Sequence, residues 1–109
     1  MKKKYEVTKS SGNVFADLGL PNPEELALKS GLVSAICARV ADMNFSRQAD
    51  VGKRLGISQP KVSKLLRGHF HEYSVERLLG FLSRLNMDIE ISYKPTRANK
   101  PGHVHIHAA

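Results

Sequence analysis

Gln59, Pro60, Ser63, Lys64 and Arg67 are the residues of this chain best suited to act together, and the chemistry they offer is recognition rather than bond making. At about 100° per residue they fall on one arc of a helix, while Val62, Leu65 and Leu66 fall on the other. One side carries amide, hydroxyl and cationic groups, and the other is apolar. A helix of this kind can lie in the major groove of DNA, where a glutamine amide can pair with adenine N6 and N7 and cations can reach phosphates. The five outward residues are candidate base readers, and Arg47, Gln48, Ser58 and Lys61 beside them are candidates for contacts to the DNA backbone.

The segment SRQADVGKRLGISQPKVSKLLRG, from Ser46 to Gly68, contains what would hold such a helix in place. Ser46 is expected to cap a first helix, Leu55-Gly56-Ile57 to form a tight corner and Ser58 to cap the second helix. Gly52 leaves no side chain where the helices must cross, Gly56 has no Cβ to oppose a left-handed corner, and Val62 fills the crossing. In an ordinary helical hairpin these small, glycine and β-branched positions would coincide only by chance. Pro60 is tolerated in a first turn but biases Gln59 away from helical geometry, so the second helix begins at Gln59 or at Pro60.

Charge is concentrated on the same segment. The net charge is +7, yet residues 46–67 hold six bases and one acid, whereas residues 68–93 hold two bases and four acids. Arg47, Lys53, Arg54, Lys61, Lys64 and Arg67, opposed only by Asp50, form the electrostatic footprint expected of phosphate binding.

The other elements follow from period and caps. Residues 1–21 read as a flexible segment, being polar with few apolar side chains. Asn22-Pro23-Glu24-Glu25 is an amino-terminal helix signature in which Asn22 caps, Pro23 takes the first position and Glu25 closes a capping box. Leu28, Leu32, Ile36 and Val40 then form an apolar stripe, which Gly31 can split into two helices. Ser74 is expected to cap a further helix burying Leu78, Leu79, Leu82 and Leu85, and Asn86 to end it in a left-handed conformation. Met87, Ile89, Ile91 and Tyr93 alternate with polar residues, the period of a half-buried strand. No second strand signal exists in the chain, so the expected partner is the same strand of a second subunit, antiparallel about a two-fold axis; packing on the last helix is the alternative.

Beyond these patterns, Gln48, Gly52, Gly56, Ile57, Gln59, Val62, Ser63, Leu65 and Gly68 follow the helix-turn-helix pattern of the lambda-repressor-like, or XRE, regulators, a resemblance covering most of residues 30–86. In phage-repressor relatives a glutamine at the place of Gln48 braces the one at the place of Gln59 or reaches the DNA backbone. SSGNVFADLGLPNPEEL at Ser10 to Leu26, LGISQPKVSKLLRG, SVERLL at Ser74 to Leu79 and MDIEISYKP at Met87 to Pro95 look like HigA-type antitoxins. That likeness implies a repressor of its own operon that also neutralises a RelE-like, HigB-type toxin. Val14, Phe15 and Leu18, apolar residues in a polar segment, are then the candidate toxin-docking element. The alternative is a stand-alone repressor whose partner is DNA alone, and an RNA-binding adaptor is a third class.

The expected fold is therefore all-α: four to five helices with a lambda-repressor-like helix-turn-helix, plus one C-terminal β-strand pairing across a homodimer. Residues 22–94 form the domain, and residues 95–109 a disordered basic, His-rich tail in which Arg97 and Lys100 can touch phosphates. His103, His105 and His107 alternate and His69 and His71 repeat the spacing, but Pro101-Gly102 argues for a solvated tail rather than a metal site. Cys37, the lone cysteine, reads as a small buried apolar residue in a chain suited to a reducing cytoplasm. No phosphate loop, zincin spacing or nucleophile elbow is present, so neither an enzyme nor a cofactor is expected, and no run reaches membrane-spanning length.

Overall fold

The computed structural model describes residues 22–97 and 99–107. Among them are four helices, α1 (Pro23–Met43), α2 (Gln48–Leu55), α3 (Gln59–Leu66) and α4 (Val75–Arg84). The core is assembled by α1 packing along α4 and α2 against α3, with α1 also touching α3 and α2 touching α4. It holds Leu32, Val33 and Ile36 of α1, Val51 and Leu55 of α2, Val62 and Leu65 of α3, and Leu78, Phe81, Leu82 and Leu85 at α4. Each such side chain removed from water contributes about 1.5–3 kcal/mol before entropy is subtracted.

The helix ends show where local signals prevailed. Ser74 Oγ accepts from Arg77 N–H at 3.1 Å, the expected cap of α4. Asn22 precedes α1, but in a left-handed conformation (φ 51°, ψ 52°) that engages its carbonyl, bonded to Leu26 N–H at 3.0 Å, and not its side chain. Glu25 consequently closes no capping box and pairs with Lys29 one turn on, at 3.3 Å. Gly31 does not split α1: it is buried inside a continuous helix of 21 residues. At the end of α4, Asn86 takes the expected left-handed conformation (φ 63°), with its N–H on Ser83 O and that of Met87 on Leu82 O. Arg39 Nε donates to Leu85 O at 2.8 Å and so fastens α1 to the same terminus.

Two regions differ from expectation. Within the single chain residues 87–96 form no strand, and Met87, Ile89, Ile91 and Tyr93 are exposed rather than half-buried. The reason is that strand hydrogen bonds need a second strand, and none of the described residues provides one. The His-rich tail makes contacts its composition did not signal. Glu24 Oε2 lies 3.2 Å from His103 Nδ1 and accepts from Val104 N–H at 3.1 Å, while Ile106 packs on the core from a half-buried position. Among the described residues no group of histidines, cysteines and acids could hold a metal ion, and no helix is long and apolar enough to cross a membrane.

Candidate nucleic-acid interface

The corner between α2 and α3 is built around two glycines. Gly56 takes φ 79°, a conformation that a side chain opposes, and the N–H groups of Gly56 and Ile57 both reach Gly52 O, at 2.7 and 3.0 Å. Gly52 itself faces Ile57: a Cβ placed there would lie 2.5 Å from Ile57 O and 3.4 Å from Val62 Cγ2. Val62, fully buried, thus occupies the space that the missing side chain leaves. These contacts set the angle at which α3 leaves α2.

That angle and the apolar anchor orient the outward arc. Val62 and Leu65 are 0% exposed, and Leu66 is half-buried. Gln59, Pro60, Lys61, Lys64 and Arg67 reach the surface, and Ser63 is half-buried. Gln59 is the first residue of α3 and Pro60 lies in its first turn, which resolves the ambiguity of the start. Arg67 follows the last helical residue, so it stands at the carboxyl end of the arc. There the N–H groups of Gly68 and His69 close on Leu65 O and Lys64 O at 2.9 and 3.0 Å.

Ser58 precedes α3 in an extended conformation, as a capping residue does, yet its side chain makes no cap hydrogen bond and is exposed. No acid lies in the first turn of α3. The positive end of the helix dipole and an uncommitted hydroxyl therefore face outward together, which favours an anionic partner.

The flanking candidates are less uniform. α2 begins at Gln48, preceded by Arg47 rather than Ser46 at the capping position; Arg47 is extended (φ −144°, ψ 155°) and makes no side-chain cap. Its Nη2 instead pairs with Asp50 Oδ1 at 3.2 Å, so the segment's one acid is turned toward one of its six bases. Lys53, Arg54, Lys61, Lys64 and Arg67 are exposed and form no ion pair among the described residues. Gln48 and Gln59 stand exposed at the starts of α2 and α3, and no hydrogen bond joins them.

Sequence reasoning overlooked two further arginines. Arg77 and Arg84 line an open groove with Leu55, Gly56, Ser74, Glu76, Gly80 and Phe81, beside the corner. Their spacing of seven on one face of α4 was the available signal, but the acidic balance of residues 68–93 concealed it. Cys37 is half-buried, and its thiol donates weakly to Leu66 O at 3.6 Å, at the end of α3. Burial raises its pKa, which suits packing rather than nucleophilic chemistry.

Comparison with known proteins places this geometry. The model of the helix-turn-helix domain family matches residues 14–94. A solved structure named "Putative XRE Family Transcriptional Regulator" superposes with a TM-score of 0.75 at 36% sequence identity, over 82% of this chain and 100% of its own. No curated protein matches this one. The glycine-built corner, the two-sided α3 and these matches agree: this chain belongs to the XRE-type helix-turn-helix family, a family of regulators and not of enzymes.

Proposed function

We propose that this protein is a sequence-specific DNA-binding transcriptional repressor, and that it acts as the antitoxin of a type II toxin–antitoxin module. The DNA-reading part rests on one observation: α3 is sealed to the core by Val62 and Leu65 and exposes Gln59, Pro60, Lys64 and Arg67, so it needs no rearrangement to enter a groove. In this reading Gln59, Pro60, Ser63, Lys64 and Arg67 face base edges, and Arg47, Gln48, Ser58 and Lys61 face phosphates. Arg47 reaches a phosphate by leaving Asp50, an exchange that costs little because an exposed ion pair is worth about 0–1 kcal/mol.

Gln59→Ala should weaken binding to the cognate operator by about 1–3 kcal/mol and relax discrimination at one base pair. Lys61→Ala should instead weaken all sequences alike and lower the salt dependence by about one phosphate contact. Titrations over single-base operator variants at several salt concentrations read both effects. An unchanged preference profile for Gln59→Ala would remove it from base reading.

The antitoxin role draws on the likeness to HigA-type antitoxins, and its docking residues Val14, Phe15 and Leu18 lie outside the described residues. Among the described residues the core begins at Ala27, and removing Met1 to Leu20 should leave operator binding close to that of the full chain. Toxin neutralisation should be lost, as expected when a segment that orders against its partner is deleted. Rescue of cells expressing the adjacent toxin, measured beside operator affinity, tests this. Intact rescue would rule out docking by this segment. The name of the solved relative, a transcriptional regulator, favours a second reading as a stand-alone repressor, and a chromosomal neighbour that encodes no toxin would select it.

A further inference from the structure

Of the exposed large apolar residues among those described, four fall in one short segment at alternating positions: Met87, Ile89, Ile91 and Tyr93. Their exposure rises along the chain, 38%, 39%, 78% and 95%. After Met87 N–H is taken by Leu82 O, no backbone–backbone hydrogen bond to a described residue is made from Asp88 to Pro95. The segment thus has unpaired backbone groups, and once extended its alternation would set the four apolar side chains on one face. Its near end is partly covered by its own domain, and its far end is bare.

We propose that a second copy of this segment pairs with it antiparallel, in the register centred on Ile91. This inference rests on the reading of the protein as an operator-binding repressor only in that two copies would present two α3 helices; the pairing itself is argued from the segment.

In an antiparallel pair about a two-fold axis, directly opposite residues share a face, so the two positions must sum to twice the central one. Centring on Ile89 sets Asp88 against Glu90 twice, and centring on Glu90 sets that carboxylate against itself, both like-charge contacts. Centring on Ile91 removes them. Asp88 then faces Lys94 twice, Glu90 faces Ser92, Ile89 faces Tyr93, and Ile91 meets its own copy on the axis. Centring on Ser92 also avoids a clash and sets Glu90 against Lys94, but it leaves Met87 opposite Arg97 and Ile89 opposite Pro95.

Pro95 and the exposure gradient are both compatible with the register at Ile91. Pro95 falls opposite Met87, and because proline has no N–H it must occupy a non-hydrogen-bonded pair. All odd positions then share that type, which brings their side chains closest, and the hydrogen bonds fall on the 88–94 and 90–92 pairs. The exposure gradient fits as well: each bare Tyr93 is set beside the partner's Ile89, at the end nearer the partner's domain.

The test uses the full chain without DNA, so that it reports pairing independently of operator recognition. Ile91→Cys, on the axis at a non-hydrogen-bonded pair with Cα atoms about 4.5 Å apart, should form an intermolecular disulfide in high yield under mild oxidation. Ser92→Cys should form little, and the unaltered chain with Cys37 alone sets the background. Asp88→Lys should raise the dimer dissociation constant about tenfold by sedimentation, and adding Lys94→Asp should restore it. These positions are exposed in the single chain, so neither change threatens the fold. Crosslinking through position 92 but not 91, or a failure of the charge exchange to restore pairing, would overturn the register. A chain monomeric at tens of micromolar would overturn the second copy as the occupant, while poor operator binding by an intact, disulfide-linked Ile91→Cys dimer would count against the DNA reading alone.

Discussion

Gly52→Val should collapse the α2–α3 corner, lowering stability by about 3 kcal/mol and the melting temperature by about 15 °C. Any Cβ at this position would meet Ile57 O at 2.5 Å, and a backbone atom held by the Gly56 turn cannot move away without opening the turn. The two γ-methyl groups of valine would also compete with Val62 for its place in the core. Because the same contacts set the exit of α3, operator binding should fall further than the unfolded fraction accounts for. Thermal unfolding and operator titration on one preparation would check this. If Gly52→Val melts like the parent, the close crossing described for α2 and α3 is wrong.

Phe81→Ala should be the costliest truncation in α4, about 3–5 kcal/mol, a large part of the roughly 5–15 kcal/mol that holds a typical domain together. Phe81 is 2% exposed, meets Tyr73 edge to face with ring centroids 5.3 Å apart, and has the Arg77 guanidinium 5.2 Å from its centroid. Alanine leaves a void that Tyr73 cannot fill without leaving the loop it anchors. Leu79→Ala makes the control. Leu79 was expected to be as buried as Leu78, Leu82 and Leu85, but it is only half-buried, so its truncation should cost about 1 kcal/mol. Urea unfolding of the two variants reads the difference, and equal losses would mean that α4 is turned otherwise about its axis.

Expectation and outcome diverge within α4 for a simple reason. Period alone marks a stripe of leucines, but it does not rank a leucine at the edge of the stripe against a phenylalanine beside it. The rank depends on which neighbour lies across the gap, here Tyr73 from a loop. Phe70 and Tyr73, in the connection between α3 and α4, are 8% and 6% exposed and belong to the core, because that loop is folded back between the two helices. Likewise Arg39 is held by a carbonyl 46 residues away, a contact that no local pattern encodes.

Features that local backbone chemistry encodes were legible in the amino-acid order. The glycine corner, the buried Val62, the outward arc from Gln59 to Arg67, the Ser74 cap and the left-handed Asn86 each depend on a few neighbouring residues, whose steric demands are the same wherever the chain goes. Matters that need a distant partner emerged only with the assembled fold. It buried Gly31 within a continuous α1, joined Glu24 to the tail at His103 and Val104, and left Met87 to Tyr93 exposed. A strand is the clearest case, because alternation writes only one of its two faces and half of its hydrogen bonds, and the other half belongs to whatever lies beside it.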